Sequence, residues 1–375
     1  MDERPTAVVT AHFSDLEDPR DDNKRHQLLD IVIIAICASI CGADSWEDVE
    51  LFGDAKHKWF KGFLDLPHGI PSHDTFARVF ALLDAEQFQG RFVEWIQAVE
   101  ELTEGQVVAV DGKTLRRSHD RGNGKGAIHM VSAWASENGL VLGQRKVDDK
   151  SNEITAIPQL LDRLEVAGCI VTIDAIGCQT KIVEKIIEKR ADYVLPVKEN
   201  QDKLHETLEL LFDDPAEMRW VPCDYHKTVD KGHGRIEVRE CWVTSDPEYL
   251  RYIASLADWP GLQSVAMVQA ERCVGEQSTV ERRYFISSLA ADARQLLRAV
   301  RGHWGIENKL HWVLDIAFRE DDCRVRTGNG AQNFAVLRHI ALNLLKREKT
   351  LKASIHGKRL KAGWDNDYLI KVLMA

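Results

Sequence analysis

The hydrophobic pattern of this chain changes near Gln106, and that change limits the folds open to it. Before Gln106, apolar residues recur at helical spacing, which predicts helices over most of residues 1–104. Ser45 and Asp84 are typical N-caps for two of these helices. Three short β-type runs with Gly-rich turns follow: 107–111, 127–136 and 140–147. They predict an antiparallel meander.

The following segment alternates between helix and strand. Helical periodicity covers 154–166, 180–190 and 201–212, and apolar strands lie between these helices at 169–173 and 193–197. Three strands followed by alternating helices and strands predict an α/β fold, with one mixed sheet flanked by helices.

A β-rich insertion interrupts the alternation, and its β-type runs lie at 235–244, 264–269 and 282–287. Helical periodicity returns at Asp292. The chain is therefore predicted to begin with a helical N-terminal domain (1–104). The sheet domain follows in two parts (105–212 and 291–350), which are separated by the insertion (213–290), and a basic C-terminal tail or helix (351–375) ends the chain.

The charge is unevenly distributed. The net charge of −10 taken alone argues against a nucleic-acid partner, which usually binds a basic surface. Residues 107–126, however, carry five basic against two acidic side chains, and residues 338–361 carry eight against one. Such segregation either directs a positive field at an anionic partner or reflects two solvated basic faces.

Nothing in the sequence predicts a membrane span or a secretion signal. The longest apolar run, 31–41, is shorter than the roughly 20 residues that cross a bilayer, and no basic patch followed by an apolar stretch opens the chain. The eight cysteines include no Cys-x-x-Cys pair, which is typical of reduced thiols in a cytoplasmic protein. Among them, Cys178 is interpreted as a packed thiol and not a nucleophile.

Two aspartates close apolar strands of the predicted sheet. Asp111 follows the first strand and Asp174 the fourth, so an ordinary strand order brings their carboxylates to one edge. A lone Asp before Gly is usually a turn residue. Because a buried carboxylate costs several kcal/mol unless something cationic compensates it, two such positions favour a site.

A third acid lies in a helical segment with histidines on both sides. His303, Glu307 and His311 share one helix face at four-residue spacing. Two His and a Glu can bind zinc, which leaves a zinc hydrolase as one alternative, although the established helical motif has its histidines one turn apart. Three carboxylates and substrate phosphates suit Mg²⁺ better.

Six segments in order along the chain carry a resemblance to a known family. They are His12-Phe-Ser-Asp-Leu-Glu-Asp-Pro-Arg20, Val110-Asp-Gly-Lys-Thr-Leu-Arg116, Lys150-Ser-Asn-Glu-Ile-Thr-Ala-Ile-Pro158, Asp174-Ala-Ile-Gly-Cys-Gln179, Lys231-Gly-His-Gly-Arg-Ile-Glu237 and His303-Trp-Gly-Ile-Glu-Asn-Lys-Leu-His-Trp312. Nearly end to end, the chain resembles the DDE transposases of bacterial insertion sequences, in the H-repeat-associated branch.

The resemblance implies a ribonuclease H-like catalytic domain with Asp111, Asp174 and Glu307 as catalytic and metal-binding residues. It implies Mg²⁺, with Mn²⁺ as a substitute, in-line attack on transposon-end phosphodiesters and joining of 3′-hydroxyls to target DNA. The helical N-terminal domain would recognise transposon ends in double-stranded DNA, and the protein would act as a homodimer on the nucleoid of the bacterial cytoplasm. The β-rich stretch would be the insertion that precedes the glutamate helix.

The same resemblance suggests DNA contacts, each with a plainer alternative. Near the first aspartate, Lys113 and Arg116 either grip phosphates or are solvated turn residues. In the insertion, His233 and Arg235 either reach DNA or belong to a hairpin turn. Arg326 and Arg338 either bind phosphate, steady the acidic triad or form surface pairs.

Around the glutamate the chain departs from the wider family. Many relatives carry a Tyr, an Arg and a Lys where this chain has Val300, His303 and Leu314. The phosphate clamp is therefore expected from other residues: Lys309, Arg298, Arg301 or His303. A helix-turn-helix over 66–80 is an alternative to simple core packing. The second overall hypothesis is a catalytically idle DNA-binding or interaction protein that retains the fold.

Overall fold

The computed structural model describes residues 7–21, 24–119, 126–147, 151–214, 218–232 and 234–375. Six helices precede the first strand: α1 (Ala7–Phe13), α2 (Leu28–Cys41), α3 (Trp46–Ala55), α4 (His57–Phe60), α5 (His73–Leu82) and α6 (Ala85–Val99). Ser45 and Asp84 cap α3 and α6 as predicted, since each side chain accepts a hydrogen bond from a first-turn backbone N–H.

The strands form one mixed sheet. Their bounds are β1 (Val107–Thr114), β2 (His129–Ala135), β3 (Leu140–Lys146), β4 (Ile170–Ile173), β5 (Asp192–Val197), β6 (Asp224–Gly232), β7 (Arg235–Thr244), β8 (Ser264–Val274) and β9 (Gln277–Ser287). The spatial order is β3-β2-β1-β4-β5-β9-β8-β7-β6. The first three strands form the predicted antiparallel meander, and β4 and β5 run parallel to β1. This is a ribonuclease H-like arrangement.

The residues between 213 and 290 extend the sheet instead of forming a layer of their own. Strand β9 pairs antiparallel with β5, and β8, β7 and β6 follow outward. The sequence pattern missed β6, because its charged and polar side chains lie at the edge of the sheet with no buried face. It also missed a helix in the insertion, α10 (Pro247–Leu256).

The remaining helices pack on the sheet, on the N-terminal helices or on one another. They are α7 (Glu153–Asp162), α8 (Thr180–Glu188), α9 (Asp202–Asp213), α11 (Ala293–Ile306), α12 (Trp312–Phe318), α13 (Gly330–Arg347), α14 (Ile355–Trp364) and α15 (Asn366–Leu373). A π-helical turn, Glu307–His311, joins α11 to α12. We call the continuous element 293–318 the glutamate helix.

One hydrophobic core connects the N-terminal helices to the sheet. Helix α13 is buried along most of its length and packs against α2, α5, α6 and β3. The ring of Trp46 stacks on Phe80 with centroids 4.8 Å apart and meets the edge of Phe334 at 4.7 Å. The same packing accounts for the apolar stripe within 66–80, where Phe76, Val79 and Phe80 are buried. Within the described residues, no single helix has the length and apolarity of a membrane span, and the pair α2 with α3 that reaches this length together is bent by 95°.

The C-terminal basic residues form two helices and are partly internal. Lys358 is buried, donates to the carbonyl of Leu345 and lies 3.3 Å from a Glu348 carboxylate oxygen. The Arg359 guanidinium is also buried, donates to the carbonyl of Ser39 and packs over Phe318. The excess of positive charge in residues 338–361 is therefore not wholly a surface feature.

Candidate active site

Strand pairing brings Asp111 and Asp174 to the same sheet edge. Strands β1 and β4 are parallel neighbours in which Val110 is paired with Ile173, so each aspartate comes next in its chain. Asp174 also caps a short 3₁₀ turn, since its Oδ1 accepts the N–H of Ile176 at 3.2 Å. Both carboxylates line one cavity of about 440 Å³.

The glutamate helix supplies the third acid. Helix α11 packs across β1, and Gly302 permits this close approach because a Cβ there would lie 2.9 Å from a Val107 methyl. Glu307 follows α11, opens the π-helical turn and lines the same cavity with a side chain that is 63% exposed. Helix segments with this wide hydrogen bonding are rare and occur often at functional sites.

His311 lies between two of the acids. Its Nδ1 is 3.2 Å from Glu307 Oε2 and 3.5 Å from Asp111 Oδ2, and its side chain is buried. One oxygen or nitrogen from each of these three residues lies within 4.8 Å of the other two. His303 is not part of this group, so the structure does not support the two-histidine zinc alternative.

The acids carry more negative charge than the protein compensates. Burial first, and then the charges on Asp174, Glu153 and Glu307, raise the pKa of Asp111 to about 7 against a lowering hydrogen bond from Gly112. Burial first, and then Glu153, also raises the pKa of Asp174. Among the residues that the structure describes, no Lys or Arg forms an ion pair with either aspartate. Divalent cations would supply the missing charge.

A fourth carboxylate that the sequence analysis did not single out lies beside these acids. Glu153, the first residue of α7, is hydrogen-bonded to His129 Nε2, and His129 Nδ1 lies 2.8 Å from the hydroxyl of Thr114. A Cβ on Gly112 would overlap the Glu153 carboxylate and lie 2.6 Å from His129 Nε2. Glu153 did occur in one of the segments that carried the family resemblance, which was its only signal.

Lys113 and Arg338 do not face a DNA surface, which corrects their assignment as phosphate contacts. Lys113 Nζ pairs with Asp315 and with Glu320, the latter at 2.8 Å, and the Lys113 side chain is only 13% exposed. Arg338 is 2% exposed and lies 3.7 Å from Glu320. The alternation of a strand and the periodicity of a helix do not reveal such internal ion pairs.

His303 is placed in the cavity wall without a positive charge. Its Nδ1 lies 3.2 Å from the hydroxyl of Thr172, and burial lowers its pKa to about 4. The imidazole is therefore neutral at pH 7, and the expectation that it contacts a DNA phosphate stays a prediction. Two cations missed by the sequence analysis, Lys198 and Arg283, line the cavity, and Arg283 stacks 4.5 Å above the ring of Trp304.

The remaining predicted DNA contacts stay predictions. Arg116 is exposed and lies 3.2 Å from Asp321, while Arg235 pairs with Glu237 at 2.7 Å. Arg326 donates to the Arg117 carbonyl, and Lys309 is exposed. His233 lies outside the described residues.

The buried environment of Cys178 agrees with its interpretation as a packed thiol. Burial raises the pKa of this thiol to about 12. A thiol with so high a pKa is protonated at neutral pH and is a poor nucleophile.

Comparison with known proteins identifies the family. Residues 102–344 match the model of the transposase DDE domain, and residues 10–96 match the DDE_Tnp_1-associated model. The chain is 42% identical over 367 residues to "Putative transposase YncI" of Escherichia coli O157:H7, covering 96% of this chain and 93% of that protein. It is 41% identical over 367 residues to "H repeat-associated putative transposase YhhI" of Escherichia coli K12, covering 96% of each.

Among solved structures, the chain is similar to the piggyBac transposase in a synaptic complex with hairpin DNA. The identity is 11% and the TM-score 0.46, over 99% of this chain and 78% of that one. This overlap is too loose for a comparison of individual residues. On the two family models and the nearly full-length relatives, the chain belongs to the DDE transposase family, in its H-repeat-associated branch.

Proposed function

We propose that the protein is a transposase that cleaves phosphodiesters at the ends of its own element and joins the resulting 3′-hydroxyls to target DNA. The observation that carries this proposal is the meeting of Asp111, Asp174 and Glu307 at one open cavity, with their charge uncompensated by Lys or Arg ion pairs within the described residues. Family membership supports an enzyme of the nuclease and strand-transfer class.

The donor set fits hard divalent cations. Carboxylate oxygens are the ligands that Mg²⁺ and Mn²⁺ prefer, and Asp111, Asp174 and Glu307 would hold them. When bound, such ions neutralise the negative charge that builds on the phosphodiester and favour ionisation of the attacking group. Asp111 lies within β1 next to the end of its pairing with β4, Asp174 follows β4, and the exposed Glu307 approaches from the glutamate helix.

The other wall of the cavity suits an anionic polymer. Lys198 and Arg283 bring positive charge to the lining, and Trp304 offers a half-exposed aromatic face beside Arg283. A phosphate group gains from the cations, and a nucleobase or sugar packs on a ring. We propose double-stranded DNA as the substrate and a homodimer as the form that acts on it.

The test uses DNA carrying the ends of the element, recognised as short inverted repeats bounded by a direct duplication. The variants Asp111→Asn, Asp174→Asn and Glu307→Gln are expected to lose Mg²⁺-dependent cleavage and strand transfer while still binding end DNA in a gel-shift assay. Glu184→Gln, an exposed acid on α8, is the control and is expected to cleave normally.

Two other outcomes are informative. Cleavage that persists in all three variants contradicts the assignment of the acids. A wild-type protein that binds ends but cuts with neither Mg²⁺ nor Mn²⁺ supports the alternative of an idle DNA-binding protein.

A further inference from the structure

Two side chains of β1 bind two side chains of the glutamate helix. Asp111 contacts His311, and Lys113 binds Asp315. Two residues along a strand advance about 6.6 Å, and four residues along a helix advance about 6 Å. Because these distances match, both contacts are made together in a single register of helix on strand.

Lys113 also binds a second element. Its Nζ lies 2.8 Å from Glu320, which is 2% exposed and lies 3.7 Å from Arg338 of α13. Lys113 thus connects β1 to the C-terminal part of the glutamate helix through Asp315, and to α13 through Glu320 and Arg338. A buried ion-pair network of this kind is strongly disturbed when one partner is removed, since the others stay buried without compensation.

The contacts of Lys113 and Asp111 with the glutamate helix flank its π-helical turn. The turn begins at Glu307 and ends at His311, and π-helical hydrogen bonding is rarely stable by itself. Contacts at His311 and Asp315 hold the C-terminal end of the turn against β1. A shift by one helical residue would rotate Glu307 by about 100° and move its carboxylate away from Asp111.

We propose that Lys113 is a positioning residue that sets the register of the glutamate helix on β1 and thereby the approach of Glu307 to Asp111. The inference rests on the proposed function, because the positioning matters for the cations that the two acids would share. Lys113 acts through Asp315 and Glu320 and does not touch DNA.

The main test compares Lys113→Met with Lys185→Met. Methionine keeps most of the side-chain length without the charge, and Lys185 is a matched control because it pairs with Asp162 and Glu188 on the surface of α8. The measurements are Mn²⁺ affinity by calorimetry without DNA, the Mg²⁺ concentration for half-maximal cleavage, and end binding. We expect roughly tenfold weaker Mn²⁺ binding, a higher Mg²⁺ requirement and unchanged end binding in Lys113→Met, with wild-type values in Lys185→Met.

If Lys113→Met does not fold, Asp315→Asn decides the question, since it removes the charge of the helix partner and leaves the ion pair of Lys113 with Glu320. The expected change has the same direction and a smaller size. Wild-type Mn²⁺ affinity and Mg²⁺ requirement in the folded variant would overturn the inference, even if its thermal stability falls.

Asp111→Asn separates failure of the positioning from failure of the proposed function. Weak Mn²⁺ binding in Asp111→Asn with normal binding in Lys113→Met rejects only the positioning role. Normal Mn²⁺ binding in Asp111→Asn rejects the proposed metal site and the positioning inference with it.

Discussion

The Nδ1 atom of His311 lies 3.5 Å from Oδ2 of Asp111, which places a buried imidazole from the glutamate helix against the acid that ends the apolar run of β1. Burial lowers the pKa of His311, so the ring is mainly neutral at physiological pH. A neutral imidazole can donate a hydrogen bond to a carboxylate without cancelling its charge. The imidazole therefore leaves the ionised forms of Asp111 and Glu307 uncompensated, so that they can attract cations.

The pKa of Asp111 predicts how stability depends on pH in EDTA. This group titrates at about 7 in the folded protein and at about 3.9 in an unfolded chain, so its contribution to stability is lost as the pH rises from about 4 to about 7. Asp111→Asn has no ionisable group at this position, so its stability should not fall over this pH range on account of residue 111. We expect its melting temperature to exceed that of the wild type by about 2 °C at pH 8, and to match it at pH 4.

Thermal unfolding of both proteins in EDTA at the two pH values checks this expectation. Added Mn²⁺ should raise the melting temperature of the wild type at pH 8 and have little effect on Asp111→Asn. A variant that melts below the wild type at pH 8 in EDTA would contradict the unfavourable burial of an ionised Asp111 carboxylate inferred for this site.

Gly112→Ala is expected to impair cleavage without unfolding the protein. The added Cβ overlaps the Glu153 carboxylate and comes close to His129 Nε2, so this pair must move from its place beside the acids. We expect about a tenfold loss in cleavage rate, measured at saturating Mg²⁺. Gly90→Ala on α6 is the control, because a Cβ there meets nothing within 4 Å and should leave cleavage unchanged. Equal rates for the two variants would show that the position of Glu153 has no influence.

Asn343→Ala is expected to destabilise the fold, because Asn343 satisfies backbone groups at an edge of the sheet. The buried side-chain amide of Asn343 accepts the N–H of Val141 at 2.9 Å and donates to the carbonyl of the same residue at 2.8 Å, which covers β3, one of the two edge strands. Removal leaves two backbone groups without partners and should cost about 3 kcal/mol. Denaturant unfolding measures this loss, and a cost below about 1 kcal/mol would mean that water replaces the amide.

Arg283→Ala is expected to weaken DNA binding. Arg283 lines the cavity beside Trp304 and pairs with Glu281 at 2.8 Å, whereas its neighbour Arg282 points to the opposite face of β9 and pairs with Asp213. We predict that Arg283→Ala binds end DNA with about tenfold lower affinity. The slope of log affinity against log salt concentration should fall by the amount expected for the loss of about one phosphate contact, and Arg282→Ala should change little in either quantity. Binding titrations at several salt concentrations provide the measurement. Equal affinities of the two variants would show that the cavity wall around Arg283 does not contact DNA.

The two aspartates could be predicted from the sequence because an apolar β-type run followed by Asp is a local pattern, although β1 continues beyond Asp111 to Thr114. Asp111 and Asp174 were identified in this way, and their meeting follows from the parallel pairing of the two strands. Glu307 was identified from helical spacing and family resemblance. Strand β6 was missed because an exposed edge strand has no apolar alternation.

The sequence by itself determined most of the order of helices and strands, the capping residues Ser45 and Asp84, and the acids that end the apolar runs of β1 and β4, since all of these depend on neighbours within a few positions. Only the tertiary structure decided that Lys113 and Arg338 are buried in an ion-pair network, that Glu153 lies against Gly112, and that His303 is uncharged. The physical reason is that burial and charge compensation depend on which distant elements pack together. A local sequence pattern does not predict that packing.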